Sequence, residues 1–556
     1  MKYSAFNNYD WLVSRFLRLN PLFKNWNLCH LPKGEGKTLR WEIFSLKIRE
    51  NKETKERNML FDQDATFYAQ QLKAREVTVS ELVEQALENI KRLNPKLNAV
   101  VHVQREEALT KARLFDEKIS SLNDRELKEL PFFFGVPILL KDLGQDEAKQ
   151  PSTSGAKLLG SHVAQSTDHF VQKVLDAGFI VVGRTNTPEF GFKNTSDAEF
   201  TGPVNSPLGS HLNPGGSSGG AAAALKAGMV PIVTASDGGG SIRIPASFNG
   251  LIGLKPTRGR TPVGPNGYRG WQGASIHFAL TKSVRDTWNL LKVMQVEQYD
   301  APFVLPLIEE NELESLNRSL TLAYSLESPI GESVSEEAKK AVRIAVEKLR
   351  ALGHTVEEKT PKADGIKAMQ TYYKVNGVET AAMMEGIEAS MKRSATVEDM
   401  EPMSWALYRS GLNISGVEYS NVLAFWDQLT ADMEAFFEKY DAVLLPSTNG
   451  PAFTHDKFKK SKAFIEKLKK IDDFGKEEQQ QLIWEMFDDS LAYTPFTQQQ
   501  NLTGQPAISL PLYENEKGLP IGTQIWTKKG AEVLLLQIAK QLEEAGDLNT
   551  KIVEIE

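Results

Sequence analysis

The stretch "MVPIVTASDGGGS", residues 229–241, joins a short apolar run to three consecutive glycines and a serine. Apolar residues follow one another in the run without strict alternation, which is typical of a strand covered on both faces. Because glycine has no Cβ, three glycines in a row allow successive backbone N–H groups to converge on one point. The stretch therefore predicts a buried strand that ends beside a cluster of backbone donors, with Ser241 next to them.

Apolar runs of the same kind recur along the chain and alternate with helical patterns. The predicted strands are 98–103, 136–140, 179–183, 229–235, 320–326, 441–447, 507–513 and 521–527. One predicted helix opens on Thr78 or Ser80 and leads through Asn94-Pro95 into the first strand, and the others are 167–177, 221–228, 335–352, 368–393 and 531–545. This alternation predicts an α/β fold in which a largely parallel or mixed sheet carries helices on both faces. Two helical stretches interrupt the alternation, at about 361–440 and 453–490, and are interpreted as insertions that cap one edge of the sheet.

The charge of the chain is uneven. Its 556 residues have a formal net charge of −7, but residues 1–60 contain 12 Lys and Arg against 6 Asp and Glu, which leaves −13 for the rest. An acidic body argues against a nucleic-acid partner. The basic N-terminal 60 residues are interpreted as a solvated extension, with contact to an anionic surface as the alternative.

The cysteine content and the hydropathy of the chain indicate the cellular compartment of the protein. Cys29 is the single cysteine, which excludes an internal disulfide framework and a cysteine-based metal cluster. The N-terminus has no unbroken apolar segment before a small-residue cleavage site, and no window approaches 18 uncharged apolar residues. We therefore predict a cytoplasmic protein without a membrane span.

A second glycine-serine stretch, "NPGGSSGGAAAALKAG" at 213–228, suggests two interpretations that its context contradicts. A phosphate-binding loop requires Lys followed by Ser or Thr at a fixed place, and the stretch does not supply them. The letters at 215–219 match the G-x-S-x-G nucleophile elbow of α/β-hydrolases, but that elbow follows a strand directly. The preceding residues contain three prolines and no apolar run, so the stretch predicts neither a phosphate site nor an elbow.

A serine nucleophile needs a base, and the sequence offers two kinds. Histidine is the usual base, and His211 is the nearest one, in a Pro-rich loop, so a Ser-His-Asp triad stays open as an alternative. Lys141 instead ends the apolar strand at 136–140, at the edge where α/β sheets assemble their sites. Desolvation there would lower the pKa of the lysine and make it a base.

Three segments occur in an order that resembles the signature of the amidase signature family: "GVPILLKD" (135–142), "PGGSSGGAAAALKAG" (214–228) and "SDGGGSIRIPASFNGLIGLKPTRGR" (236–260). The resemblance is to bacterial amidases and extends over about residues 61–550. It implies a single large mixed sheet covered by helices on both faces. It also implies an amidase domain at 61–556, with its catalytic core at about 130–260, and no metal or organic cofactor.

Carried over position by position, the resemblance implies that Ser241 is the acyl-accepting nucleophile, that Lys141 is the base and that Ser217 relays the proton between them. It also implies a cis peptide bond before the relay serine. The implied oxyanion hole consists of backbone N–H groups, those of Gly238, Gly239, Gly240 and Ser241. Gly238 stands where many family members carry a larger residue, which predicts a more flexible corner.

Four further residues are interpreted as support for the site. Asp237 and Arg243 flank the nucleophile and are expected to pair and brace the turn. Ser218 is expected either to hydrogen-bond within the triad or to start the following helix. Asp142 is expected either to orient Lys141 or to have an ordinary turn role.

The resemblance implies an amidase that hydrolyses linear or cyclic carboxamides through a serine acyl-enzyme, with a small-molecule amide and water as its partners. The alternative is a glutaminase-type subunit of a tRNA-dependent amidotransferase complex, which would use the same triad and require partner proteins. The sequence leaves open which amide is cleaved. It also leaves open whether the chain forms a homodimer.

Overall fold

An eleven-stranded mixed sheet organises residues 60–555, the part of the chain that this computed structural model describes. The predicted N-terminal extension, up to Met59 and including Cys29, lies outside the described residues. The strands are β1 (Val100–Val103), β2 (Pro137–Lys141), β3 (Ile180–Thr185), β4 (Asp197–Ala198), β5 (Gly202–Pro203), β6 (Leu212–Asn213), β7 (Ile232–Asp237), β8 (Ile252–Lys255), β9 (Ile276–Thr281), β10 (Thr321–Tyr324), β11 (Thr355–Glu358), β12 (Ala442–Pro446), β13 (Phe453–Thr454), β14 (Ala507–Leu510) and β15 (Thr523–Trp526). The sheet has the order β1, β3, β2, β7, β9, β8, β14, β15, β12, β10, β11, while β4 with β5 and β6 with β13 form separate two-stranded ribbons.

Parallel pairing is confined to two parts of the sheet. Strand β2 lies parallel to β3 and β7, and strand β10 lies parallel to β11 and β12, whereas the other neighbours are antiparallel. Every residue of β2, β3 and β7 is buried. Because successive side chains of a strand point to opposite faces, both faces of the sheet are covered there. The predicted α/β fold with one large mixed sheet is confirmed.

The helices of the described chain follow the predicted alternation with the strands. They are α1 (Ala65–Lys73), α2 (Val79–Leu97), α3 (Arg105–Ser121), α4 (Asp124–Glu129), α5 (His169–Asp176), α6 (Gly219–Lys226), α7 (Arg243–Asn249), α8 (Val284–Met294), α9 (Glu336–Ala351), α10 (Gly365–Met391), α11 (Pro402–Gly411), α12 (Gly416–Phe437), α13 (Lys462–Lys469), α14 (Lys476–Tyr493), α15 (Gln499–Thr503) and α16 (Glu532–Glu544). Among residues 60–555, no helix combines the length and the apolar character needed to cross a bilayer.

The two helical stretches that interrupt the alternation have a hydrophobic core of their own. Helices α10 to α12 and α14 contribute its large side chains, among them Tyr373, Trp405, Trp426 and Phe487. The sheet and the helices beside it share a separate and larger core. The predicted boundaries of the insertions and of the amidase domain remain predictions.

The pairing of β2 with β7 brings two chemically important strand ends to one edge of the sheet. The strands are parallel, with Ile138 opposite Ile232 and Leu139 opposite Val233. Their carboxyl ends, at Lys141 and Asp237, therefore lie at the same edge, where open α/β sheets place their sites.

Helix α6 is packed so closely against the backbone of neighbouring segments that its second residue, Gly220, has no room for a side chain. A Cβ at Gly220 would lie 2.5 Å from the backbone N and O of Asn186 and 2.6 Å from the carbonyl oxygen of Ala99. We expect Gly220→Ala to lower the free energy of unfolding by about 3 kcal/mol, because backbone cannot move aside as a flexible side chain can. Thermal unfolding of the full chain measures the effect.

Gly386→Ala is the matched control, since Gly386 also lies in a helix but has no atom within 4 Å of the added Cβ. This substitution is expected to leave the melting temperature unchanged or raise it, because alanine favours a helix interior over glycine by about 1 kcal/mol. Equal melting temperatures for the two variants would contradict the close approach.

Candidate active site

Lys141 is a fully buried residue at the end of β2, and its side-chain amine contacts two hydroxyl groups. Its Nζ donates to Ser217 Oγ at 2.7 Å and to Ser236 Oγ at 2.9 Å. Burial lowers the pKa of Lys141 to about 7, although the negative charge of Asp237 acts in the opposite direction. A large fraction of this amine is therefore neutral near pH 7, and a neutral amine is a base.

All three residues of the predicted triad are buried, and one of them lines a cavity. Lys141 is 0% exposed, Ser217 is 2% exposed and Ser241 is 7% exposed. Ser241 lines a cavity together with Gly191, Phe192, Asn194, Gly239, Trp271, Met369, Tyr372, Tyr373, Asn376, Phe487, Ser490, Leu491 and Gln498. Ser241 is thus the member of the predicted triad that a molecule in this cavity would meet.

The residues around Ser217 hold the second glycine-serine stretch against β7. The Gly216–Ser217 peptide bond is cis, as the resemblance implies. Ser218 is the N-cap residue of α6, but its side chain makes no capping hydrogen bond. Its hydroxyl instead donates to the carbonyl oxygen of Ser236 at 3.3 Å and accepts from the backbone N–H of Ser236 at 3.4 Å. Ser218 therefore connects the start of α6 to the end of β7.

A buried ion pair shapes the loop that carries Ser241. Asp237 and Arg243 are both 0% exposed, and the guanidinium donates to the carboxylate through Nε at 3.0 Å and Nη2 at 2.9 Å. The carboxylate also accepts from the backbone N–H groups of Gly240 at 2.7 Å and Ile242 at 3.2 Å. Burial alone would raise the pKa of Asp237, but Arg243 lowers it to about 2. The loop between β7 and α7 is thus folded around a permanent negative charge.

Arg243 extends this network to a distant part of the chain. Its remaining hydrogen bonds go to the side-chain oxygens of Gln500, Gln524 and Asn501 and to the carbonyl oxygen of Thr497. Asn501 in turn donates to both the backbone oxygen and the carboxylate of Asp237, each at 2.9 Å. The segment around α15 therefore helps to fix a loop that lies far earlier in the chain.

The predicted oxyanion donors do not all face the same way. The Gly240 N–H is directed at the Asp237 carboxylate, so the prediction that it is a free donor is wrong in this structure. In residues 60–555 the N–H groups of Gly238, Gly239 and Ser241 have no hydrogen-bond acceptor, and of these three residues Gly239 and Ser241 line the cavity. The carbonyl of Gly238 accepts from Tyr372 Oη at 3.0 Å, and because C=O and N–H of a trans peptide point in opposite directions, the Gly239 N–H faces away from that tyrosine.

Some polar neighbours of the site gave no signal in the sequence. Ser236 contacts the Lys141 amine, and Gln145 accepts the Lys141 backbone N–H at 2.8 Å. Asp142 accepts hydrogen bonds from the backbone N–H and the hydroxyl of Thr153, so its contacts are those of a residue that stabilises a turn.

Among the described residues no histidine hydrogen-bonds to the hydroxyls of the candidate serines, and the predicted alternative, His211, is exposed.

Residues 81–536 match the family model described as Amidase. The chain belongs to the amidase family. This amidase is accordingly a hydrolase of amide C–N bonds.

Two relatives share most of the length of this amidase. It is 36% identical to a lipoamidase of Enterococcus faecalis over 87% of this chain, but it covers 63% of that relative, less than two thirds of its length. It is 32% identical to a 6-aminohexanoate-cyclic-dimer hydrolase of Paenarthrobacter ureafaciens, over 87% of this chain and 94% of that one.

Solved structures agree with this assignment. A structure of 6-aminohexanoate cyclic dimer hydrolase complexed with substrate matches the amidase with a TM-score of 0.78 and 30% identity, over 88% of this chain and 97% of that one. One component of the Glutamyl-tRNA(Gln) amidotransferase of Thermotoga maritima matches with a TM-score of 0.66 at 23% identity, over 90% of this chain and 99% of that one, which is a likeness of fold.

Removing one partner of the buried ion pair is expected to destabilise the protein far more than removing one partner of a similar exposed pair. Arg243→Leu should lower the free energy of unfolding by about 3–5 kcal/mol, because it leaves the Asp237 carboxylate buried without its counter-ion. Denaturant unfolding followed by circular dichroism measures the loss.

The matched control is Arg393→Leu, which removes another guanidinium that pairs through two nitrogens with an aspartate six positions away. The Arg393 side chain is 51% exposed. Water solvates the carboxylate of its partner Asp399, so the expected loss is at most about 1 kcal/mol. Similar decreases in the free energy of unfolding for the two variants would show that the buried Asp237–Arg243 pair does not stabilise the loop.

Proposed function

We propose that this amidase hydrolyses a carboxamide through a serine acyl-enzyme, with Ser241 as the nucleophile, Ser217 as the proton relay and Lys141 as the base. The observation that carries the proposal is the buried amine of Lys141, 2.7 Å from the Ser217 hydroxyl and with a pKa lowered to about 7. A base works best when its pKa lies near the working pH. Ser241 supports the proposal as nucleophile because it is the one of these three residues that lines the cavity.

The proposed proton path runs from the nucleophile through the relay to the base. Neutral Lys141 takes the proton of the Ser217 hydroxyl, and Ser217 takes the proton of Ser241 while the Ser241 Oγ attacks the carbonyl carbon of the amide. As the C–N bond breaks, the relay returns a proton to the leaving nitrogen, which departs as ammonia or an amine. Water, activated by the same relay, then cleaves the serine ester and restores the hydroxyl.

The negative charge of the tetrahedral intermediate needs donors that are already in place. The N–H groups of Gly239 and Ser241 have no other acceptor in the described part of the chain and border the cavity. We assign them as the two oxyanion donors, and loss of one such donor typically costs ~3 kcal/mol of transition-state stabilisation. Gly240 contributes instead by anchoring the loop to Asp237.

The proposed chemistry uses side chains and water and requires no metal or organic cofactor. A glutaminase role within an amidotransferase complex has only a likeness of fold in its favour. The relative that this chain covers to 94% is named a 6-aminohexanoate-cyclic-dimer hydrolase, which supports a small-molecule amide as the substrate class.

Substitution of the proposed nucleophile and of the proposed base should give distinct kinetic results. Ser241→Ala is expected to lower kcat/KM by at least about 10⁴-fold and to abolish trapping of an acyl-enzyme, because no oxygen remains to be acylated. Lys141→Ala should lower kcat/KM by about 10²- to 10⁴-fold, with partial recovery at high pH, where hydroxide replaces the missing base.

His211→Ala is the control for these substitutions and is expected to retain wild-type kcat/KM. Hydrolysis of a panel of primary amides, anilides and cyclic amides, followed by release of ammonia or amine, provides the measurement. A His211→Ala enzyme as inactive as Ser241→Ala would refute the lysine-based triad.

The pH dependence should report the ionisation of Lys141. The base acts only when neutral, so kcat/KM is expected to rise as pH increases through about 7, the value to which burial lowers this pKa. The residual activity of Lys141→Ala should lack that inflection. An inflection near 7 that persists in Lys141→Ala belongs to another group and would count against the assignment of the base.

A further inference from the structure

We propose that the cavity beside Ser241 is an uncharged aromatic slot for the acyl group of the substrate and that Trp271 forms the wall that sets its selectivity. The inference rests on the proposed function, since the acyl group is the part that stays bonded to the Ser241 Oγ. An acyl group on that oxygen would extend into the cavity that Ser241 lines.

The walls of the slot carry no net charge. Of the described residues that line the cavity, none has an ionised side chain, and the polar side chains are amides and hydroxyls, such as Asn194, Asn376, Ser490 and Gln498. A carboxylate or ammonium group transferred from water into such a site loses hydration and gains no counter-ion. The slot is therefore suited to a neutral acyl group.

Aromatic rings from separate segments provide the apolar surface of the slot. Tyr373 of α10 and Phe487 of α14 are stacked, with ring centroids 4.6 Å apart and an interplanar angle of 9°. Phe192 and Trp271, both from loops, are stacked at 5.9 Å and 18°. Large ring faces make many dispersion contacts with a hydrocarbon or aromatic group at a small cost in side-chain entropy.

Trp271 occupies the volume that a side chain at position 238 would fill. A Cβ built on Gly238 would lie 2.6 Å from Trp271 Cζ3 and 2.9 Å from its Cε3. The indole also meets the ring of Tyr372 edge-on, with centroids 6.3 Å apart. The corner that the sequence suggested to be flexible is therefore packed, and the absence of a side chain at Gly238 is what admits the indole.

The loop that carries Trp271 is held in an uncommon backbone conformation. Trp271 and Gln272 have φ values of 48° and 54°, in the left-handed region that residues other than glycine rarely adopt. The Gln272 side chain donates to Glu379 of α10 at 3.1 Å, and the same carboxylate oxygen accepts from Tyr419 of α12 at 2.5 Å. Contacts with the insertion thus fix the loop and the position of the indole.

Two matched probes test the charge of the slot: 3-phenylpropanamide and 3-(4-carboxyphenyl)propanamide, which differ by one carboxylate. We expect wild-type kcat/KM for the neutral amide to exceed that for the charged one by at least about 100-fold. Calorimetry with the Ser241→Ala chain, which cannot turn either probe over, should show tighter binding of the neutral amide by a similar factor.

The two readouts separate this inference from the proposed function. Selective binding to Ser241→Ala without hydrolysis by the wild-type chain would support the slot and contradict the proposed hydrolysis of such amides. Equal kcat/KM values for the two probes, or no binding of the neutral amide to Ser241→Ala, would overturn the slot.

The role of Trp271 is tested by the ratio of kcat/KM for 3-phenylpropanamide to that for acetamide, which is too short to fill the slot. Trp271→Ala should lower this ratio about 10-fold through loss of the ring face. Gly238→Ala should also lower it by displacing the indole, and combining the two substitutions should add little further loss. Trp271→Phe is expected to retain most of the ratio.

Tyr299→Ala is the control, because Tyr299 is a large aromatic residue that is 79% exposed, and it should leave the ratio unchanged. Melting temperatures of all variants identify any that fail to fold. An unchanged ratio in Trp271→Ala, or fully additive losses in the double variant, would show that the indole does not form the wall.

Discussion

The buried carboxylate of Asp237 is the group on which the architecture of the site depends. It accepts hydrogen bonds from the backbone of Gly240 and Ile242, which follow it, and from the side chains of Arg243 and Asn501. If this carboxylate were neutral or absent, the donors around it would be left buried without a partner, which is more costly than losing the hydrogen bonds themselves. The same negative charge opposes the lowering of the Lys141 pKa by burial. One charge therefore folds the loop and moderates the proposed base.

Burial alone does not determine what a lysine can do in this protein. Burial would lower the pKa of Lys193, yet the carboxylates of Asp197 and Glu401 raise it above its usual value. This amine therefore stays charged and forms ion pairs with both carboxylates. Burial also lowers the pKa of Lys255 well below its usual value, but its Nζ donates to a backbone carbonyl. Lys141 combines a lowered pKa with hydroxyl partners, one of which is the proposed relay. That combination, and not burial itself, makes a lysine available for proton transfer.

The sequence predicted those parts of the molecule whose cause is local. Unbroken apolar runs predicted β2 and β7 because both faces of these strands are covered. Strand β11, with the sequence "TVEE", was missed because it lies at the edge of the sheet, where charged residues are tolerated. The candidate triad was predicted because its members stand in contiguous motifs. Asn501 was not, since it reaches the site from 264 positions away through contacts that have no sequence period.

The three consecutive glycines at 238–240 show that a local motif does not by itself predict the hydrogen bonds of its backbone. Three glycines in a row suggested equivalent donors, but an aspartate three positions before Gly240 accepts its N–H, as short acidic side chains commonly do near turns. Gly238 matters through its missing side chain and not through its N–H. Because it has no Cβ, the indole of Trp271 can occupy the space beside it. In the proposed mechanism the signature motif therefore specifies how the amide is attacked, while residues outside the motif decide which acyl groups can reach it. The proposed selectivity could then change through substitutions in the loop around Trp271 without disturbing the ion pair that holds the proposed nucleophile.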